Sequence, residues 1–265
     1  MNNPYIPIPY PIIHIKHQTD IDYTYRLACD MNPENGQFVE ISIPKIGEAP
    51  ISISDFGEGY IDMTIRRVGK VTDYLHQLKV GDKLFLRGPY GKGFPLKQYK
   101  GKHLIITAGG TGLAPVKSII NYFDQRPEEI EKLDLIIGFK SSKDILFKEE
   151  IEEWKLNEKF NVIVTIDKEE EGWKGHVGLV TQYVASLDFP EKEDLEVIVV
   201  GPPLMMKFTA LEYLRIGVPE DQLWVSFERK MSCGIGKCGH CKIDETYVCL
   251  EGPVFNYSKA KFLID

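Results

Sequence analysis

The pattern of apolar residues changes at Gly101 and divides this chain of 265 residues into two unlike parts. The first part contains short alternating or β-branched runs, separated by Gly, Pro and Asp; the clearest are 36–44, 50–56, 60–68 and 82–91. Runs of this kind predict strands of an antiparallel barrel or sandwich. The proline-rich opening, residues 2–11, predicts an extended arm without regular structure.

The second part alternates strand-like and helix-like segments. Its apolar runs lack alternation, as expected for strands that are buried on both faces. The predicted strands are 103–108, 133–139, 160–167, 195–201 and 222–227, and the predicted helices between them are 113–123, 145–156, 178–187 and 203–217. Five strands that alternate with helices indicate a parallel α/β sheet. The remaining residues, 228–265, predict irregular structure.

The composition, with 43% hydrophobic and 27% charged residues, is that of a globular protein. A net charge of −7 disfavours nucleic acid as a partner, because binding to phosphates needs a basic face. No apolar run approaches the roughly 20 residues that span a bilayer. The opening also lacks an apolar leader with a basic start, so we expect a cytoplasmic protein without a membrane span.

Four of the five cysteines lie in the last segment, with the spacing Cys-x4-Cys-x2-Cys-x7-Cys; they are Cys233, Cys238, Cys241 and Cys249. This spacing begins like the plant-type pattern for a 2Fe-2S cluster. Glycines at 234, 236 and 239 allow a loop to wrap tightly and to direct backbone N–H groups at sulfur. The spacing therefore favours a 2Fe-2S centre.

Structural zinc and disulfide bonds are two other interpretations of the cysteines. Structural zinc sites use paired ligands at each end, and only Cys238 and Cys241 form such a pair, so zinc is disfavoured but stays open. An odd cysteine count without a secretory leader argues against a disulfide framework. His240 is interpreted as a neighbour of the ligands, and Cys29 as an isolated buried residue.

Gly109-Gly110-Thr111-Gly112 follows the first strand of the α/β part and opens its first helix. Ligands bind at this end of such sheets, where glycines let a ligand approach the backbone and free N–H groups attract phosphate. The match to G-x-G-x-x-G fails at Pro115, so a simple tight turn stays open. Gly201-Pro202 repeats the arrangement after the fourth strand.

These segments, in this order, resemble the ferredoxin–NADP reductase superfamily: PISIS and GKVT in a β domain, AGGTGLAPV and VVGPP in an α/β domain, then a cysteine-rich tail. Within it the layout is similar to proteins with a C-terminal 2Fe-2S cluster, such as the electron-transfer subunit of dihydroorotate dehydrogenase and hydrogenase gamma subunits. GEAPISIS, EGYIDMTIRRVGKVTD, GDKLFLRGPYGKGF, VVGPPLMMKFT and ERKMSCGIGKCGHCKIDETYVCLEGPVFNY resemble the B subunits of anaerobic sulfite reductase.

The resemblance implies three parts: a Greek-key barrel that binds FAD (1–100), a five-stranded parallel domain that binds NAD(P)H (101–227) and a 2Fe-2S subdomain (228–265). The implied flavin contacts are Pro50, Ile51 and Ser52 along the ring, Thr64, Ile65 and Arg66 along the ribityl and phosphate side, and Val71 and Thr72 at the pyrophosphate. Gly109–Gly112 and Gly201–Pro202 match walls of the nicotinamide cleft, and the four cysteines match the cluster ligands.

Two departures from the superfamily pattern stand out. Arg-x-Tyr-Ser is replaced by Ala49-Pro50-Ile51-Ser52, so the arginine that pairs with the flavin phosphate and the tyrosine that stacks on the ring are both absent. We hypothesise that Arg66 takes the place of the arginine, because a fixed guanidinium suits phosphate. Val200 stands where many relatives have cysteine.

The resemblance also implies a reaction. NADH gives a hydride to FAD, and single electrons then pass through the 2Fe-2S cluster to partner subunits, an iron–sulfur subunit and a sirohaem subunit that reduces sulfite to sulfide. No acid–base residue is nominated, and Ser52 is a candidate to hydrogen-bond the flavin. The same flavin and iron–sulfur arrangement would also suit a hydrogenase or another ferredoxin-linked acceptor.

Overall fold

The computed structural model describes residue 3, residues 5–189 and residues 194–263. The chain forms two compact units, one made of Met1–Phe94 with Phe227–Val254 and the other of Pro95–Ser226 with Phe255–Asp265. The part of the chain with the four cysteines, residues 227–254 (the cysteine segment), thus belongs to the same unit as the N-terminal strands. The division into three parts stays a prediction.

The N-terminal strands form the closed antiparallel barrel that the resemblance implies. Its six strands, within the described residues, are β1 (Ile8–His17), β2 (Asp22–Ala28), β3 (Phe38–Ile43), β4 (Gly47–Gly57), β5 (Tyr60–Arg66) and β6 (Lys83–Tyr90). They follow one another around the barrel in the order β1-β2-β5-β4-β3-β6. The hairpins β3–β4–β5, with β6 beside β3, make a Greek key. The short helix α1 (Lys70–Leu75) lies between β5 and β6.

Strand β3 is buried on both faces, which locates the layer that covers the barrel. Val39, Ile41 and Ile43 belong to the barrel core, so the residues that alternate with them lie on the outer face. Two of these, Glu40 and Ser42, are nevertheless buried. A barrel strand without a solvent-exposed face needs a covering segment outside it. The cysteine segment contacts this side of the barrel, because Arg87, which lies opposite Glu40, binds the carbonyl oxygens of Ser232 and Cys233.

The predicted irregular arm is wrong from Ile8 onward, because β1 begins there. Pro9 and Pro11 pair with β6, opposite Phe85 and Lys83. Proline is tolerated in a sheet where no partner needs its missing N–H. Residues 8–11 of β1 pair with β6 and residues 12–17 with β2, so the prolines lie on the stretch that has one partner strand in the described chain. Residues 2 and 4 of the proposed arm lie outside the described residues.

The second unit is built on the predicted parallel sheet. Its strands are β7 (His103–Gly109), β8 (Lys132–Phe139), β9 (Phe160–Ile166), β10 (His176–Val177), β11 (Leu195–Val200) and β12 (Leu223–Ser226), in the spatial order β10-β9-β8-β7-β11-β12, with β15 (Val254–Asn256) at the edge beside β12. Every residue of β7 and β11 is buried, as expected for central strands covered on both faces. The two strands β10 and β15 are short additions to the five predicted ones.

Four of the described helices connect the parallel strands: α3 (Ala114–Asp124), α4 (Lys148–Trp154), α5 (Val180–Val184) and α6 (Pro203–Arg215). Two short ones, α2 (Leu96–Tyr99) and α8 (Tyr257–Ala260), precede β7 and follow β15. In α3 the buried residues Val116, Ile119, Ile120 and Phe123 recur at helical spacing, which explains why the helix packs on the sheet. The cysteine segment has only short elements: β13 (Lys242–Ile243), β14 (Thr246–Tyr247) and α7 (Val248–Glu251).

Candidate functional site

Backbone N–H groups of the cysteine segment point at the thiols. Gly236 donates to Sγ of Cys249 at 3.2 Å, and Lys237 and Cys238 approach Sγ of Cys233 at 3.4 and 3.5 Å. The N–H of Cys249 approaches Sγ of Cys241 at 3.5 Å. Hydrogen bonds to sulfur stabilise thiolate ligands and tune iron–sulfur centres. The loop is therefore arranged around its sulfur atoms.

Glycine is required at two places in this loop. Gly234 and Gly236 have φ angles of 71° and 70°, a left-handed conformation that side chains rarely adopt. A Cβ atom at Gly234 would lie 2.6 Å from the ring of Tyr90, and one at Gly236 would lie 2.0 Å from Leu250. The loop can therefore wrap tightly only with glycine at these positions.

The thiols have unlike proton affinities. Burial disfavours the thiolate of Cys233, but the backbone N–H groups of Cys238, Ile235 and Lys237 outweigh it and lower the pKa of Cys233 to about 6. Burial, then a contact with Cys241, raises the pKa of Cys249 to about 12. Backbone donors thus favour the thiolate of Cys233, whereas burial favours the protonated thiol of Cys249.

The thiols interact with one another: Cys233 with Cys238, and Cys249 with both Cys241 and Cys233. Among the described residues, no group of three or more His, Cys, Asp or Glu side chains is close enough to hold one metal ion. A 2Fe-2S centre takes two protein ligands at each iron, whereas a structural zinc takes four around one ion. Four thiols that interact with one another and have backbone N–H groups directed at three of their sulfur atoms fit the 2Fe-2S centre.

The predicted flavin residues lie on neighbouring elements of the barrel. Pro50, Ile51 and Ser52 belong to β4, while Thr64, Ile65 and Arg66 end β5, which pairs with β4. Val71 and Thr72 open α1. The structure thus brings together the three segments that the resemblance assigned to FAD.

Several of these side chains already have protein partners. The Thr64 hydroxyl is hydrogen-bonded to Thr24 at 2.9 Å and to Ser54 at 3.1 Å. The Thr72 hydroxyl accepts the N–H groups of Val68 and Gly69 at 2.8 and 3.0 Å, which fixes the turn before α1. These hydroxyls shape the barrel edge. Their own contact with FAD stays a prediction.

Arg66 is held in place by an ion pair. Its guanidinium forms a two-point ion pair with the buried Asp22, and 28% of its side chain remains exposed. The adjacent Arg67 pairs with Asp73 and is more exposed. A fixed, partly accessible guanidinium next to a turn can receive a phosphate oxygen of FAD.

The two glycine-rich strand exits of the second unit lie side by side. Strands β7 and β11 are parallel neighbours, with Ala108 opposite Val200. A Cβ atom at Gly112 would lie 2.6 Å from the Val200 oxygen and 2.8 Å from Gly201. Gly109–Gly112 and Gly201–Pro202 therefore form one backbone-lined edge at the carboxyl ends of the strands, where ligands bind in such sheets.

One functional candidate was missed by the sequence analysis. Arg87 of β6 is 3% exposed; its Nη1 and Nη2 donate to the carbonyl oxygens of Cys233 and Ser232, both at 2.9 Å. Its Nη2 also lies 2.7 Å from Oε2 of Glu48. The only signal in the sequence is a charged residue within the apolar strand LFLRG.

Sequence models of three domain families match successive parts of the chain. Residues 28–94 match an oxidoreductase FAD-binding domain, and residues 106–210 match an oxidoreductase NAD-binding domain. Residues 228–261 match the iron-sulfur cluster binding domain of dihydroorotate dehydrogenase B.

Full-length relatives combine the same domains. Sulfhydrogenase 2 subunit gamma of Pyrococcus furiosus is 37% identical over 279 residues, covering 96% of this chain and 96% of the relative. The probable dihydroorotate dehydrogenase B (NAD(+)) electron transfer subunit of Methanocaldococcus jannaschii is 32% identical over 260 residues, covering 97% and 92%. The chain belongs to this family of ferredoxin reductase-like electron-transfer subunits.

A solved structure of the NADH-dependent reduced ferredoxin-NADP oxidoreductase supports the membership. It has a TM-score of 0.78 and 25% identity, and the match covers 98% of this chain and 91% of that one. As a member of the family, the chain is an oxidoreductase with domains for FAD, NAD and an iron–sulfur cluster. The relatives named here are hydrogenase and dihydroorotate dehydrogenase subunits, not sulfite reductase subunits. Across the described residues, no helix is long and apolar enough to cross a membrane.

Proposed function

We propose that this chain is the subunit through which a larger enzyme receives electrons from NADH. Bound FAD would accept the hydride, and a bound 2Fe-2S cluster would release the electrons one at a time. The observation that carries the proposal is the contact of Arg87 with the cysteine segment, because it ties that segment to the barrel whose sequence matches an FAD-binding domain. The proposed flavin residues and the proposed cluster ligands then belong to one compact unit.

The residues of the chain have distinct proposed tasks. Pro50, Ile51 and Ser52 lie along the flavin ring. Thr64, Ile65, Val71 and Thr72 shape its ribityl and pyrophosphate side, and Arg66 pairs with phosphate. Gly109, Gly110, Thr111 and Gly112, with Gly201 and Pro202, present backbone to the nicotinamide nucleotide. Cys233, Cys238, Cys241 and Cys249 hold the two irons. Free thiols of this kind need a reducing compartment, which supports a cytoplasmic location.

The preference for NADH has support in the second unit. By resemblance the adenine-ribose region includes Phe139, Lys140, Ser141 and Ser142. Lys140 and the serines would tolerate the 2′-phosphate of NADPH, whereas the overall likeness implies NADH. Here Ser141 Oγ donates to Asp144 at 2.7 Å, and a carboxylate oxygen of Glu170 lies 3.2 Å from the Ser142 N–H. Acidic groups at this place suit the ribose hydroxyls of NAD and repel the 2′-phosphate of NADP.

We propose a hydrogenase-type subunit as the acceptor, because the gamma subunit of a sulfhydrogenase aligns along almost the whole chain. A second candidate is an anaerobic sulfite reductase, with iron–sulfur and sirohaem partner subunits. The likeness of segments such as GEAPISIS and VVGPPLMMKFT to its B subunits favours it. Both candidates use the same donor side.

Anaerobic titration with NADH and with NADPH tests the donor side. We expect NADH to bleach the flavin absorbance first and the iron–sulfur absorbance next, and NADPH to do so more weakly. A colourless protein with bound zinc would contradict the proposal. The acceptor is then tested by mixing the NADH-reduced protein with purified hydrogenase subunits or with sulfite reductase subunits. Hydrogen evolution supports the first partner, and sulfide formation supports the second.

A further inference from the structure

Arg87 is held rigidly between the barrel and the cysteine segment. In the strand register it stands opposite Glu40 of β3, which in turn stands opposite Pro50 of β4. One row across three strands therefore connects the segment assigned to the flavin ring with the residue that contacts the cysteine segment. Because the donors of a guanidinium have fixed directions, Arg87 sets the positions of the two carbonyl groups that it binds.

Residues that follow Arg87 in the chain also contact the cysteine segment; residues 87–92 are called the strip here. The ring of Tyr90 packs against Gly234, as the 2.6 Å approach of a Cβ there shows. The N–H of Lys92 donates to the carbonyl of Gly252 at 2.6 Å. The strip thus touches the cysteine segment before its second cysteine and again after its last. Among these contacts, the one from Arg87 brings a positive charge.

That charge lies beside a proposed iron ligand, because the Cys233 carbonyl belongs to the residue whose thiol is the first ligand. Reduction adds one electron, and so one negative charge, to the centre that the four thiolates hold, and no bond forms or breaks. A buried positive charge that is hydrogen-bonded to the backbone of a ligand residue stabilises the reduced form, since Coulomb interactions are strong inside a protein. Two carboxyl groups oppose this charge. The side chain of Glu48 is 35% exposed, so solvent screens it more than Arg87. Glu40, opposite Arg87, opposes the charge only when it is ionised, and burial raises its pKa, so all variants are titrated at one pH of about 6.

We propose that Arg87 is a positioning residue for the iron–sulfur centre, which fixes the loop around Cys233 and raises the reduction potential of the cluster. The inference rests on the proposed electron-transfer function. It adds a charge supplied by the barrel to the N–H···S hydrogen bonds by which the cysteine segment itself tunes the cluster.

The test is a potentiometric titration of the intact holoprotein, followed by the EPR signal of the reduced cluster, with the flavin absorbance as an internal reference. Arg87→Gln removes the positive charge. Arg87→Lys keeps the charge but lacks the two guanidinium nitrogens that bind the carbonyl oxygens of Cys233 and Ser232. Glu48→Gln removes the opposing charge and leaves Arg87 in place. Arg26→Gln is the matched control, because Arg26 forms a similar two-point pair with Asp62 elsewhere on the barrel.

We expect Arg87→Gln to lower the cluster potential by the equivalent of at least about tenfold in the reduction equilibrium, or about 59 mV for one electron. Arg87→Lys should recover at least half of that shift. Glu48→Gln should move the potential upward, and Arg26→Gln should leave it unchanged. Opposite signs for the two charge removals cannot arise from general damage to the fold.

The proposal is overturned if Arg87→Gln holds a cluster with the wild-type potential, or if Glu48→Gln leaves the potential unchanged or lowers it. Should Arg87→Gln not retain its cluster, the sign of the Glu48→Gln shift decides alone. A failure of the proposed electron-transfer function would be seen separately: the wild-type protein would contain neither iron nor acid-labile sulfide and would give no EPR signal on reduction.

Discussion

The buried carboxylate of Asp22 accepts two hydrogen bonds from Arg66, from Nε at 2.8 Å and from Nη2 at 3.0 Å. The hydroxyl of Thr19 also donates a hydrogen bond to the Asp22 carboxylate, at 2.6 Å, and helps to fix its orientation. The sequence suggested Arg66 as a phosphate ligand but not its partner. The pair holds the guanidinium in one orientation at the end of β5, which reduces the entropy lost when it binds a phosphate.

Arg66→Ala should therefore purify with much less FAD. A charge-assisted hydrogen bond contributes about 1.5–3 kcal/mol, so we expect flavin affinity to fall by about 10- to 100-fold. The ratio of FAD to protein after purification, and FAD titration of the stripped protein, measure this. Arg67→Ala is the control, since Arg67 pairs with Asp73 at the surface. Wild-type flavin content in Arg66→Ala would refute the role of Arg66.

Cys238→Ser should separate the two halves of the reaction. Cys238 is exposed and pairs with Cys233, and a serine oxygen is a poor ligand where thiolates select iron–sulfur clusters. We expect iron and sulfide content to fall and delivery to a partner to stop, while NADH still bleaches the flavin. Cys29→Ala is the control, because Cys29 lies in the barrel core. Loss of flavin reduction in Cys238→Ser alone would contradict this separation.

Gly112→Ala should impair NADH use without removing flavin. The new methyl group would lie 2.6 Å from the Val200 oxygen, so the two strand exits would have to move apart. A displacement of this size lowers rates by about 10- to 100-fold when it misplaces a substrate. Stopped-flow reduction of the flavin by NADH measures the effect. Gly101→Ala controls for general destabilisation, because nothing lies within 4 Å of the added Cβ but the φ of 73° strains the alanine. It should react at the wild-type rate, and equal losses in both variants would refute the assignment.

The sequence predicted best those elements whose pattern depends only on their own residues. The apolar runs of β7 and β11 predicted buried parallel strands, and the glycines after them predicted the edge where they meet. Strand β2 was not predicted, because its outward residues Asp22 and Arg26 interrupt the apolar pattern. Arg87 was missed for another reason: its partner Cys233 is 146 residues away in sequence, and no local pattern reports a contact made by the folding of distant segments.

Glu40 should make the stability of the protein depend on pH. It is fully buried, and neither carboxylate oxygen has a hydrogen-bond partner in the described part of the chain. Burial raises its pKa to about 7; Arg87 opposes this rise, whereas Glu48 and Cys233 add to it. Because the pKa is raised on folding, the stabilisation is complete below the ordinary carboxyl range and is lost as pH rises through about 7.

Glu40→Gln removes this titration. We expect the variant to match the wild type near pH 4 and to be more stable near pH 8 by on the order of 2 kcal/mol, seen as a higher Tm. Glu58→Gln, at an exposed position in the turn after β4, controls for the loss of one acidic charge and should follow the wild-type curve. If the Tm difference between Glu40→Gln and the wild type is the same at both pH values, the carboxyl of Glu40 does not titrate in this range and the prediction is wrong.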